Sequence, residues 1–576
     1  MFLTHAAEAP RASRWTLQTD SERLALAASA FFALSANTAF MKAGLAGREW
    51  SDPATWGFGL ALLMLLLAVH AFLLTLVLNR WTAKPLLTLL LPATALCTHF
   101  IQSYGVVLDP TMLRNAWRTD VAEARELLNP TLLAHLLLYG LLPLLLLWRV
   151  RLVQRPWPKA LARRIAFLLA MLALAAASLW AVFQPMASWM RNHKEARYLV
   201  TPANVVYSGL AALRSQRPLR SQPREAIGLD VQRGASWAQR RKPLVVVVVV
   251  GETTRDANWG LSGYERQTTP LLAQWVQGAG APGALPAVAL GGVQACGTNT
   301  EVSLPCMFAP VGRRDHDDER IRRQESLLHV AARAGVAVHW LDNQSGCKGV
   351  CDGLPSQTVS AQSAPGLCTD GRCLDEALVK DLDERLAKAA AAASGTHLWV
   401  LHMLGSHGPA YHKRYPPAFA RFVPDCRRDD LRQCSQQEIR NAYDNSVLYT
   451  DHVLATALHK LAAAQAQVDS ALLFVSDHGE SLGELGIYLH GMPYAMAPEV
   501  QKRVPLLAWM STGFDAAVGF APGCARAALR RRAGAATGNP PSHDHLFHTL
   551  LSWLDLRTGL YEPAWDLSTG CRNAGP

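Results

Sequence analysis

Leu244–Thr254 reads LVVVVVVGETT, six consecutive valines running without a polar residue into Gly251, Glu252, Thr253 and Thr254. A strand with one solvated face alternates apolar and polar residues, so an unbroken valine run predicts a strand buried on both faces. Such strands lie in parallel sheets that carry helices on either side. Four further apolar runs suit the same sheet: Ala287–Leu290, Val336–Leu341, His397–Met403 and Ala471–Ser476, with helical stretches between them. The alternation predicts an α/β domain with a doubly wound, mostly parallel sheet, beginning at about Pro243. Ligands of open α/β sheets collect beyond the carboxyl ends of the strands. Polar clusters stand there four times: Glu252; Asp342, Asn343 and Lys348; His402 and His407; Asp477 and His478, with His490 soon after. One strand-end carboxylate is often only a helix cap. Four clusters at one edge describe a site.

The stretch Cys296–Cys306, CGTNTEVSLPC, supplies hydroxyls in Thr298 and Thr300. A threonine hydroxyl is a weak nucleophile until a base or a metal removes its proton. Glu252, Asp477, His478 and a threonine oxygen are acceptable ligands for zinc. A divalent cation there would lower the hydroxyl pKa and polarise a phosphoryl oxygen. The remaining histidines could protonate a leaving alkoxide or hold a second metal. Chemistry alone leaves the choice between the two threonines open. The triplet His543-Asp544-His545 precedes an apolar helical run, so Asp544 reads as a cap and not a ligand. The alanine run Ala387–Ala393 reads as a helix, and Pro522–Pro541, rich in Arg, Gly and Ala, as an exposed loop.

The first third of the chain differs in kind. After a polar start, apolar stretches of spanning length occur at about 24–46, 55–78, 86–108, 131–153 and 164–185. Each approaches the roughly 20 residues that cross a bilayer. Arg80 and Lys84 lie between the second and third; Arg149, Arg151, Arg155, Lys159, Arg163 and Arg164 lie between the fourth and fifth. The positive-inside rule makes both loops and the N-terminus cytoplasmic, and an odd number of spans delivers the rest outside. The cysteines agree. Cys97 lies in an apolar segment, and the other ten follow residue 290. Most form close pairs: Cys296/Cys306, Cys347/Cys351, Cys368/Cys373 and Cys426/Cys434, leaving Cys524 and Cys571 over. No paired C-x2-C motif argues for structural zinc. Disulfides, and therefore an oxidising compartment, are expected. The net charge of +11 comes without a basic stripe of interleaved aromatics, so a membrane surface is the expected partner and nucleic acid is not.

The external segment Leu108–Asn129 places Asn115, Thr119 and Glu123 on one helical face at i, i+4 and i+8. Arg114, Arg118 and Arg125 accompany them, and by chemistry alone a solvated face is the simpler reading. Residues 186–242 mix Trp189, Tyr198 and Tyr207 with arginines and read as interfacial helices and a bridge. The expected division is therefore 1–185, a transmembrane domain; 186–242, the bridge; and 243–576, an external catalytic domain.

Six motifs in order now carry a family resemblance: GETTR (Gly251–Arg255), CGTNTEVSLPCMF (Cys296–Phe308), CKGVC (Cys347–Cys351), GSHGP (Gly405–Pro409), YDNSVLYTD (Tyr443–Asp451) and SDHGESLGELGIYLHG (Ser476–Gly491). Together they closely resemble lipid A phosphoethanolamine transferases, the inner-membrane enzymes that include the mobile colistin-resistance proteins. The resemblance implies five membrane helices before a periplasmic domain of alkaline phosphatase and sulfatase type. It implies a catalytic zinc held by Glu252, Thr300, Asp477 and His478, allows a second zinc during turnover, and decides for Thr300 as nucleophile. It implies Lys348, His402, His407 and His490 near the transferred phosphate or a second zinc. It also turns Asn115, Thr119 and Glu123 into candidates for holding the donor headgroup. The expected reaction takes phosphoethanolamine from phosphatidylethanolamine to lipid A in a monomeric, multi-pass inner-membrane enzyme. A relative acting on a core sugar or another envelope glycan would keep the same chemistry. A sulfatase would need C-x-P-x-R, which the chain lacks. A non-enzymatic receptor would have no use for a nucleophile set among metal ligands. Around Arg526–Pro541 the chain is more basic than the resemblance implies, and nothing is carried over there.

Overall fold

The computed structural model describes residues 17–119, 121–192, 194–216, 224–369, 371–392, 394–533 and 541–572. By packing, the chain forms two units: one takes in the residues up to Asp109 together with Pro130–Gly209, the other Pro110–Asn129 together with Leu210 onward. The segment between the third and fourth apolar stretches thus packs with the second unit.

The first unit carries helices Pro53–Val77, Ala83–Tyr104, Pro130–Arg149 and Trp157–Ala181, each long and apolar enough to cross a membrane. The first expected span is a bent pair, Ser21–Ala36 and Thr38–Leu45, meeting at 59°. Asn37 explains the break. Its amide donates to Phe32 O at 2.9 Å and Thr201 O at 2.7 Å, and its carbonyl accepts from Thr201 N at 3.0 Å. A side chain that bonds the backbone of its own helix competes with the helical ladder. Leu60, Leu73, Leu169 and Leu172 face outward, as helices solvated by lipid require. Leu17–Thr19 pairs with Val150–Leu152, and Asp20 lies 3.2 Å from Arg155 and 2.8 Å from Arg163. The two segments that loop charge assigns to the cytoplasm therefore share one side.

The second unit is built on a seven-stranded sheet. Its strands are β1 Leu244–Gly251, β2 Val288–Gln294, β3 Ala337–Asp342, β4 Ser356–Thr358, β5 Thr396–His402, β6 Asp469–Ser476 and β7 Arg503–Met510. The order is β2-β7-β6-β1-β5-β3-β4. From β6 to β4 every pairing is parallel, and β7 runs antiparallel to both its neighbours. All of β1 is buried. Val246, Val248 and Val250 enter one core layer with Leu304, Phe547 and Leu551. Val245, Val247 and Val249 enter the other with Tyr443, Leu454 and Leu458. Burying a valine fully is worth about 1.5 kcal/mol or more, which is why the run tolerates no polar residue.

Four helices matter for the site: α1 Pro110–Arg118, α2 Thr300–Met307, α3 Gln436–Ala463 and α4 Asp544–Trp553. Ser435 and Glu438 close a capping box at the start of α3, which spares the backbone groups a helix start leaves unpaired.

Two sequence expectations are corrected. The sheet includes β7, RVPLLAWM, which the apolar pattern did not mark because Pro505 and Arg503 interrupt it. Pro505 falls where the register against β2 shifts between Val504 and Leu506, the kind of bulge that accommodates a missing N–H. The expected loop after Pro522 contains a helix, Cys524–Ala533, with Ala525, Ala528 and Leu529 buried at helical spacing.

Cys296–Cys306, Cys347–Cys351, Cys368–Cys373 and Cys426–Cys434 are bonded, and Cys97 is free. Cys524 and Cys571, left over in the sequence, pair across 47 residues and fasten the Arg-rich helix to the C-terminal end. Closing a loop of that length contributes ~4 kcal/mol in the chain-entropy account. Replacing both cysteines by alanine is expected to lower the thermal midpoint more than the same change at Cys347 and Cys351, measured on the full chain in detergent. Non-reducing peptide mapping should recover the five pairs.

Candidate active site

Adjacent parallel strands β1 and β6 end in register, Ser476 opposite Gly251, so Glu252 and Asp477-His478 emerge side by side. Thr300 opens α2, where Asn299 caps the helix by accepting from Val302 N at 3.0 Å. Its hydroxyl lies 3.1 and 3.3 Å from the Glu252 carboxylate oxygens and 3.4 Å from His478 Nε2. All four residues are buried. Thr298 points elsewhere: its hydroxyl donates to Met492 O at 2.5 Å. The geometry therefore separates two threonines that chemistry alone could not.

The donor set fits a cation. His478 Nδ1 is 2.9 Å from Gly479 O, which places the ring proton there and leaves the Nε2 lone pair inward. That nitrogen faces Glu252 Oε1 at 3.4 Å and Asp477 Oδ2 at 3.3 Å, acceptors set against acceptors. Asp477 Oδ1 accepts from His478 N at 2.7 Å and Thr253 N at 3.3 Å, while Oδ2 is buried with no hydrogen bond. A buried carboxylate oxygen left this way is costly unless a positive charge completes it. Among the described residues Glu252, Asp477 and His478 form the group whose ligand atoms all lie within 4.8 Å of one another. Burial pushes the Asp477 carboxyl up to about 6 and holds His478 well below its ordinary range. His478 is thus neutral, the form that binds a metal, and burial makes the Asp477 carboxylate costlier to ionise than an exposed one, a cost that a cation beside it would offset.

The surrounding loops hold this set in place. Tyr443 on α3 accepts from Arg255 N at 2.9 Å and donates to Thr253 O at 2.7 Å. Gly405, in GSHGP, has φ +55°, and a Cβ there would stand 2.4 Å from Glu252 O; only glycine allows that approach. The same end of the loop is fixed by Asp375, which accepts from Leu404 N and Gly405 N, each at 2.8 Å.

The expected histidines reach the ligand set from two sides. His490 and His407 stand by His478, with ring centroids 4.5 Å apart for His478–His490 and 5.2 Å for His407–His490. His490 Nδ1 lies 3.3 Å from Glu480. His402 ends β5 beside β3, its Nδ1 2.8 Å from Asp342 Oδ1 and its Nε2 buried without a hydrogen bond. A carboxylate behind an imidazole is how a ligating or proton-donating histidine is oriented. Lys348 lies in the Cys347–Cys351 loop and donates to Ser345 Oγ at 2.6 Å and Ser345 O at 3.1 Å. Among the described residues no hydrogen bond or ion pair joins it to the Thr300 cluster. Asn115 and Thr119 lie at the end of α1, joined by a 3.0 Å bond from the Thr119 hydroxyl to Asn115 O. The side chain of Glu123 is outside the described ones.

Sequence reasoning passed over His543. It is buried, accepts from Cys296 N at 3.0 Å through Nδ1, and sits 2.9 Å from Ser476 O through Nε2. It thereby ties the loop that carries Thr300 to the end of β6. Burial lowers its pKa to about 4, so it bridges as a neutral ring. Asp544, expected as a cap, instead accepts the N–H groups of Arg313 and Arg314. Three titratable residues in the first turn of an apolar helix exceed what capping needs, and that excess was the available signal.

A buried threonine hydroxyl between a carboxylate and an imidazole, at the carboxyl edge of a mostly parallel sheet, suits a catalytic domain of the sulfatase type. Residues 245–556 match the sulfatase family accordingly. Residues 66–217 match the family described as phosphoethanolamine transferase EptA/EptB. Phosphoethanolamine transferase EptA of Escherichia coli strain K12 is 34% identical over 550 residues, 95% of this chain and 96% of that protein. Phosphatidylethanolamine transferase Mcr-1 of E. coli is 37% identical over 512 residues, covering 87% and 89%. The structure of the integral membrane lipooligosaccharide phosphoethanolamine transferase A from Neisseria meningitidis superposes with a TM-score of 0.88 at 33% identity, covering 96% of this chain and 99% of that one. The chain belongs to the phosphoethanolamine transferase family.

Proposed function

We propose that this enzyme moves phosphoethanolamine from phosphatidylethanolamine to a phosphate of lipid A, with its catalytic unit on the periplasmic side of the inner membrane. The observation that carries the reading is the Thr300 hydroxyl, buried and 3.1 Å from Glu252 and 3.4 Å from His478. Zinc bound by Glu252, Asp477, His478 and Thr300 would favour the threonine alkoxide and polarise a phosphoryl oxygen. Thr300 Oγ1 gives its proton to the Glu252 carboxylate oxygen it donates to and attacks the donor phosphorus; the bond to the diacylglycerol oxygen breaks, and that oxygen takes up a proton. His490, tilted against His478, or His407, edge-on to His490, supplies it; His402, oriented by Asp342, steadies the phosphoryl group. A lipid A phosphate oxygen then attacks the phosphoethanolaminyl-threonine and restores the Thr300 hydroxyl. Asn115, Thr119 and Glu123 hold the donor headgroup, and Lys348 the transferred phosphate. The new ammonium offsets phosphate charge, so cationic peptides such as polymyxins are attracted less strongly.

Mass spectrometry of lipid A from cells expressing the full chain tests this. Lipid A should gain one phosphoethanolamine on a phosphate. The same mass on a core sugar would transfer the reading to a glycan acceptor, and an unmodified envelope would reject both.

A further inference from the structure

Glu301 follows the nucleophile directly and is fully buried, an expensive place for a carboxylate. Its Oε1 lies 2.7 Å from Arg322 Nη2 and 2.9 Å from Arg118 Nη1. Arg322 also lies 3.1 Å from Asp318, which is 2.8 Å from Arg114. Arg114 and Arg118 are one turn apart on α1, so this helix meets the nucleophile region through two arginines, each on a carboxylate. The far end of the same segment is anchored separately. Glu126 pairs with buried Arg414, whose Nε donates to His407 O at 2.7 Å. The segment 110–129 therefore reaches the nucleophile helix at one end and the His407 loop at the other.

Arg118 stands between the headgroup candidates, three residues after Asn115 and one before Thr119. We infer that Arg118 and Glu301 are positioning residues: their ion pair fixes α1 against α2 and so sets the donor headgroup at attacking distance from Thr300. This rests on the phosphoethanolamine-transfer reading above. Glu301 occupies the first turn of α2, where the helix dipole favours a carboxylate. Its backbone is continuous with that of Thr300. A shift of α1 changes the separation of donor and nucleophile, and misplacement of order 1 Å can cost about a hundredfold in rate. The acceptor step starts from a group already bonded to Thr300, so it does not depend on this separation.

The test uses the zinc-loaded full chain in detergent. With phosphatidylethanolamine alone, the rate at which the Thr300 peptide gains phosphoethanolamine is measured; lipid A is then added and the rate of discharge followed. Arg118→Gln is expected to slow adduct formation and raise the donor KM by about tenfold to a hundredfold, with discharge unchanged within about twofold. Arg118→Lys should recover most of the loss. The Arg118→Gln/Glu301→Gln double variant should be no worse than the poorer single one, because the two act as a unit. Equal slowing of both steps, no change in either, or multiplying effects would overturn the inference. If Glu301→Gln does not fold, Arg118→Gln decides alone, since Arg118 is 35% exposed. A wild-type chain that forms no adduct would reject the transfer reading itself, a separate outcome.

Discussion

Thr300→Ala is expected to reduce phosphoethanolamine transfer by about a thousandfold or more while the fold stays intact. The substitution removes the atom to which phosphorus must bond. It does little else: the helix cap is made by Asn299, not by Thr300, and the change deletes only a hydroxyl and a methyl group. Glu252, Asp477 and His478 keep their backbone anchors. Zinc content should therefore remain measurable and the thermal midpoint close to that of the parent. Thr298→Ala provides the contrast. Its hydroxyl donates to Met492 O, away from the ligand set, so the loss there should be the cost of one hydrogen bond, about 1 kcal/mol of loop stability. Intact-mass analysis after incubation with donor lipid gives the direct readout, an adduct on the Thr300 peptide in the parent and none in Thr300→Ala. Near-normal transfer by Thr300→Ala, or an adduct on Thr298 or a histidine, would disprove the assignment.

The ease with which these residues are found reflects how the sheet is made. β1 and β6 carry unbroken apolar runs because both faces are buried, so the first polar residues after them mark the sheet edge. Glu252, Asp477 and His478 were legible for that reason. β7 was not, since its position between β2 and β6 depends on antiparallel pairing with strands distant in sequence, and its proline suits the bulge only once β2 is beside it. The four short disulfides could be read from proximity in the chain. Cys524–Cys571 could not, because the helix that brings Cys524 to Cys571 looks like an arginine-rich loop until Ala525, Ala528 and Leu529 are seen to pack.

The same distinction governs the supporting residues. His543 acts through backbone groups of Cys296 and Ser476, and backbone groups leave no trace in side-chain pattern. Asp342 and His402 are paired because β3 and β5 align them in register; the sequence marked both as strand-end residues without showing that one orients the other. For α1, periodicity put Asn115 and Thr119 on one face, but their setting comes from arginines that read as solvated. Arg114 is in fact buried against Asp318. Ion pairs between distant segments are invisible until the fold brings them together.

Chelation of the purified chain is expected to abolish transfer, and zinc to restore it, with the metal ligands contributing unequally. Asp477 gives one oxygen to the N–H groups of His478 and Thr253 and leaves Oδ2 without a hydrogen bond, open to a cation. Asp477→Asn preserves the size of the side chain and removes the charge. Losing an outer-sphere partner typically costs 10–100-fold in metal affinity; loss of a ligating carboxylate should exceed about a hundredfold. His402→Gln supplies the comparison within the same site. His402 has Asp342 behind it and lies outside the close Glu252–Asp477–His478 group, so this variant should retain the zinc while transferring more slowly. Elemental analysis separates the two, since Asp477→Asn should lose metal and activity together and His402→Gln activity alone. Full zinc occupancy in Asp477→Asn would remove Asp477 from the ligand set, and transfer that survives exhaustive chelation would mean that the charge completing this buried carboxylate is not a metal ion.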